Sequence, residues 1–97
     1  VDPIAETVLA TAVRDGGQNP TFAGGPFDLG KGKTLYPVKA EWADESIILP
    51  GKIRLYVVSQ DANLNITVTM YSLGEIQEED VGDVAATMRD AVAHDEL

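Results

Sequence analysis

The 97 residues make a single domain, because two hydrophobic cores would each be too small to be stable. With 44% hydrophobic residues and no cysteine, the chain folds without staples, and disulfides, zinc–thiolate sites and thiol nucleophiles are excluded. Sixteen acids against seven bases give a net charge of −9, which argues against nucleic acid as a partner. No apolar run approaches the ~18 residues that cross a bilayer, so no membrane span is expected.

The charge is uneven. Glu75 to Leu97 carries eight acids and one base, whereas Lys31 to Arg54 carries five bases and three acids. An acidic C-terminal element is thus set against a mildly basic middle. The start at Val1 rather than Met suggests a removed segment, and the compartment defaults to the cytoplasm.

Asp2 to Asp15 reads as a helix. Asp2 suits the N-cap and Pro3 the first helical position, where a missing donor is harmless. Ile4, Val8, Leu9, Ala12 and Val13 form an apolar stripe, and Gly16-Gly17 ends it. Residues 16–32 hold eight Gly or Pro in seventeen positions and read as a loop, pinned to the core by Phe22, Phe27 and Leu29.

Residues 33–72 alternate with period two and read as a four-stranded antiparallel meander. Pro37 cannot donate to a ladder, which puts the first strand at an edge or at a bulge. A short strand at Ile47–Leu49 leads to the turn Pro50-Gly51. Ile53, Leu55 and Val57 alternate with Lys52, Arg54 and Tyr56; after the turn Asp61-Ala62-Asn63 come Leu64, Ile66, Val68 and Met70 against Asn65, Thr67, Thr69 and Tyr71. A final helix over 78–93 follows from Val81, Val84, Ala85, Met88 and Val92, with acids in its first turn where the helix dipole favours them. The expected fold is α+β in order α-β-β-β-β-α: a two-layer sandwich with both helices packed on one face of the sheet.

Such a fold leaves the other sheet face wet, and Lys39, Lys52, Arg54, Tyr56, Asn65, Thr67, Thr69 and Tyr71 are the residues expected there. Basic groups among tyrosines and threonines suit a protein-binding surface. The resulting expectation is a non-enzymatic, acidic binding module of inhibitor, immunity or accessory-subunit type, its partner another protein. A competing reading is a small-molecule binder or enzyme with a pocket between the loop (Phe22, Phe27) and Trp42. A homodimer through the Ile47–Leu49 or Leu64–Ser72 strand is a further expectation.

Other motifs carry less. Gly25 to Gly32 looks like a phosphate-binding P-loop, but Gly32 stands where the magnesium-binding Ser or Thr belongs, and a strand rather than a helix follows. Asp90 and His94 at i, i+4 are too few for a metal site, and the acids Glu75, Glu78, Glu79, Asp80 and Asp83 lack a calcium-loop spacing. No catalytic set, metal or cofactor is expected. Asn65-Ile66-Thr67 is a glycosylation sequon. His94-Asp95-Glu96-Leu97 spells an endoplasmic-reticulum retention signal, which on an extended tail would mark a luminal or secreted eukaryotic factor.

Overall fold

The computed structural model describes residues 2–47 and 50–97. Helix α1 (Pro3–Arg14) is followed by strands β1 (Gly17–Phe22), β2 (Phe27–Gly30), β3 (Lys33–Trp42), β4 (Ile53–Gln60) and β5 (Ile66–Tyr71), then a single 3-10 turn (Glu78–Asp80) leading into helix α2 (Val81–Ala93). The sheet is antiparallel in the order β1-β3-β4-β5, with β2 also paired to β3. The α+β class and the flanking helices are as the sequence suggests. Ile48 and Leu49, most of the expected short strand, lie outside the described residues.

The segment expected as a loop over 16–32 supplies two strands instead. β1 and β2 run along the same edge of β3, Phe22 opposite Val38 and Phe27 opposite Leu35. They act as one interrupted strand, which recovers the order α-β-β-β-β-α. The interruption faces Pro37. In β3 the neighbours of Pro37 bond to β4, so its nitrogen points toward β1 and β2 with no hydrogen to offer. The outer strand therefore breaks there, keeping only the bond from Ala23 N–H to the Pro37 carbonyl, 2.9 Å. Pro37 is buried in a central strand, and a break in the neighbouring strand stands in place of the edge position or bulge expected for it.

The largest departure concerns the faces. Side chains on a strand alternate, so consecutive residues of β3 and β4 serve opposite sides. Leu35, Ile53, Leu55 and Val57 pack with Val81, Ala85, Met88 and Val92 of α2. Tyr36, Val38, Ala40, Trp42, Tyr56 and Val58 pack with Val8 and Ala12 of α1. The helices thus cover opposite faces in three layers, not one face in two. The reason lies in the sequence of β4, where Ile53 to Val58 are all buried: a strand apolar on both sides needs two covers.

Local rules set the helix ends. The Asp2 carboxylate accepts the Ile4 N–H at 3.0 Å, capping α1, and Gly16 follows its end at φ +97°. Gly17 lies so close to the Trp42 ring that a Cβ there would stand 2.8 Å from it, which lets α1 turn directly into β1 against the core. At the end of α2, Asp95 takes φ +55° and its N–H reaches the Val92 carbonyl, while Glu96 N–H reaches that of Ala91 at 2.8 Å. This is a Schellman closure.

Candidate functional site

The expected wet face does not exist as a unit. Arg54 is 2% exposed and Tyr56 is fully buried. The Tyr56 hydroxyl donates to the Asp15 carboxylate at 2.8 Å, and the Arg54 guanidinium lies 4.2 Å from the Trp42 ring centre while donating to Asp44 at 2.6 Å. Burial and then the bond to Asp15 push the Tyr56 hydroxyl far above its usual range. Trp42 Nε1 donates to the Lys52 carbonyl at 2.9 Å. These contacts tie the end of α1 and the segment after β3 onto the sheet. They are internal joints, and neither Arg54 nor Tyr56 is available to a partner.

The remaining members of the set divide between sites. In an antiparallel pair, residues directly opposite share a face. Thr69 stands opposite Val57 and Tyr71 opposite Leu55, so Thr67, Thr69 and Tyr71 are on the α2 side, away from Tyr56. Tyr71 is half-buried against that core, whereas Thr67 and Thr69 are exposed. Lys39 and Lys52 are exposed but paired, to Glu78 at 3.2 Å and Glu41 at 2.7 Å. Both line two shallow open clefts of about 280 and 340 Å³. Glu45, Glu75, Glu78 and Glu79 share the first, so the lysines stand beside acid there.

Phe22, Phe27 and Trp42, expected around one pocket, are not brought together on one side of the sheet. Phe22 pairs with Val38 on the α1 side and lies 5.6 Å from Tyr36, ring to ring; Phe27 pairs with Leu35 and packs on the α2 core. Trp42 is buried under α1 beside Tyr56. The P-loop-like stretch is β2 and the tight turn into β3, with Gly30, Lys31 and Gly32 all at positive φ. Among the described residues, no three His, Asp or Glu side chains are placed to hold a metal ion. His94 Nδ1 lies 2.8 Å from the backbone carbonyl of Asp90, and the two side chains are 3.6 Å apart.

The four C-terminal residues are folded onto the body rather than extended. His94, Asp95 and Glu96 form the helix closure, Asp95 meets Lys31 at 2.6 Å, and Leu97 packs against the α2 core. Asn65 is exposed just before β5, its side-chain amide 3.2 Å from Asp61. No helix among the described residues is long and apolar enough to cross a membrane.

Among the described residues, what the sheet leaves open is the outer edge of β5. The Gln60 N–H donates to Gly32, on the β3 side, and the Asp61 N–H to Asn65. Alternation from that point turns the backbone N–H and C=O of Thr67, Thr69 and Tyr71 toward β4, and those of Ile66, Val68 and Met70 outward. The backbone of α1 runs closest to β1 and β3, and that of α2 closest to β2. Both helices are thus displaced toward the far side of the sheet. Around β5, Leu64 is 72% exposed, Ile66 44% and Leu73 55%. No family model, no curated protein and no solved structure matches the chain.

Proposed function

We propose that this protein is a non-enzymatic binding module that takes an extended segment of another chain as an added strand along β5. The observation that carries this reading is the row of outward backbone groups at Ile66, Val68 and Met70, bordered by exposed Leu64, Ile66 and Leu73. Strand addition draws affinity from main-chain hydrogen bonds and selectivity from alternate side chains. Of the surface expected from the sequence, Thr67, Thr69 and Tyr71 belong to this strand.

The opposite edge supports the reading by contrast. β1 carries Pro20, a register shift between Gln18 and Thr21, and Asn19 at φ +52°, and it ends at the gap before β2. Proline and bulges are among the usual means of blocking an edge. β5 has six residues in unbroken register with β4 and none of these devices.

Val68→Pro provides the test, because it removes an outward N–H and leaves those that bond to β4. A random peptide library displayed on phage is selected on the wild-type protein and counter-screened on this variant. Enriched peptides should bind the variant at least tenfold more weakly and shift the amide resonances of Ile66, Val68 and Met70. Peptides that bind both forms equally, or no enrichment at all, would overturn the assignment.

A further inference from the structure

Resting on that reading, we infer that the strand received by β5 is the β5 of a second copy, joined antiparallel about a two-fold axis through Val68. Two molecules of charge −9 repel each other, so a self-contact is favoured where charge is lowest. Ala62 to Gly74 is the longest stretch of the chain without a charged residue, and β5 lies at its centre.

The backbone restricts the registers available. A two-fold axis normal to the sheet keeps the α1 side of one copy continuous with the α1 side of the other. Outward-facing residues must therefore meet outward-facing residues. With Val68 opposite Val68 of the second copy, Ile66 falls opposite Met70, and every outward group from Ile66 to Met70 finds a partner. A slip of one residue would oppose outward groups to inward ones.

Side chains fit the same register. On the α1 side it joins Ile66, Val68 and Met70 of both copies into one apolar strip, covering the exposed Ile66 and the half-covered Val68 and Met70. On the α2 side Thr67 meets Thr69 in both directions. Threonine pairs are favourable cross-strand neighbours, and this pairing is free of like charge. The product is one continuous sheet in which both β5 edges are satisfied and the far edges, along β1 and β2, remain outside.

Thr67 and Thr69 are exposed, so both can be changed without touching the core, with circular dichroism confirming the fold. Sedimentation velocity of the full chain should show a concentration-dependent dimer for the wild type. Thr67→Lys with Thr69→Lys opposes like charges twice and should weaken the dimer at least tenfold. Thr67→Lys with Thr69→Glu sets Lys against Glu twice and should restore it. A wild type that stays monomeric at millimolar concentration, or a swap that fails to restore, would overturn the inference. A monomeric wild type that still selects peptides sensitive to Val68→Pro would remove the second copy and keep strand addition. A monomer that selects none would remove both.

Discussion

The same two strands, β3 and β4, build two different interiors on their opposite faces. Toward α2 the packing is aliphatic: Leu35, Ile53, Leu55 and Val57 meet Val81, Ala85, Met88 and Val92. Toward α1 it is aromatic and polar, with Tyr36, Trp42 and Tyr56 and the buried guanidinium of Arg54 over the Trp42 ring. Aliphatic burial is non-directional and tolerates repacking. A buried polar cluster demands particular partners, and every partner is supplied: no buried side-chain nitrogen or oxygen among the described residues lacks a bond. We read the α2 face as the main source of stability. The α1 face fixes how α1 and the segment after β3 sit.

This contrast is broken most directly by Leu55→Ala. Leu55 is fully buried at the centre of the aliphatic face, and truncation there should cost about 2–5 kcal/mol, read as a drop in the urea midpoint at unchanged slope. A loss under about 1 kcal/mol would mean that this face collapses around the gap and is not the principal store.

On the polar face the expected effects are smaller and asymmetric. Asp44→Ala leaves the Arg54 charge buried beside Trp42 without its carboxylate, whereas Arg54→Met removes the buried charge and returns an already half-exposed Asp44 to water. The carboxylate variant should therefore be the less stable of the two, although it deletes the more exposed residue. Equal losses, or the reverse order, would show that Arg54 matters through its packing alone. Tyr56→Phe keeps the ring and deletes one bond to Asp15, for a cost of about 0.5–1.5 kcal/mol by thermal or urea unfolding.

Much of this arrangement was legible in the chain, but unevenly. The helices were, because Val8 and Ala12, and Val81, Ala85, Met88 and Val92, recur at helical spacing and are buried as that spacing implies. The strands misled in an instructive way. Clean alternation in Leu64 to Tyr71 belongs to the edge strand, where one cover suffices and part of the apolar side stays exposed. The less regular run Ile53-Arg54-Leu55-Tyr56-Val57-Val58 is the central strand, and its lack of a polar side was the signal that two helices cover two faces.

Two further features were hidden by composition. β1 and β2 were masked by Gly and Pro, which mark here the tight turns and the gap at Pro37 rather than an absence of pairing. Arg54 and Tyr56 read as surface residues because their partners Asp44 and Asp15 are ten and forty-one positions away. Pairing at such distances has no periodicity to betray it.

The finest distinction between the faces is in their response to acid, since among the described residues the α1 side joins a buried cation, Arg54, to a carboxylate. The hydrogen bond from Arg54 holds the Asp44 carboxyl below its ordinary range; partial loss of hydration opposes it, and the arginine charge adds to it. A carboxyl depressed in the folded state stabilises it fully above the unfolded pKa, roughly 3.9, and loses that contribution as pH falls through the folded value. The stability difference between wild type and Asp44→Asn should therefore hold level from pH 7 to about 5, narrow below about 4 and close once Asp44 is protonated. Asp61, lowered by the Asn65 N–H, and Asp95, lowered by Lys31, titrate alike in both proteins and cancel. Chemical denaturation of the pair at successive pH values measures the difference directly. A gap that stayed constant to pH 2 would mean that Asp44 acts on the fold without its charge, and the polar face would then differ from the aliphatic one in shape alone.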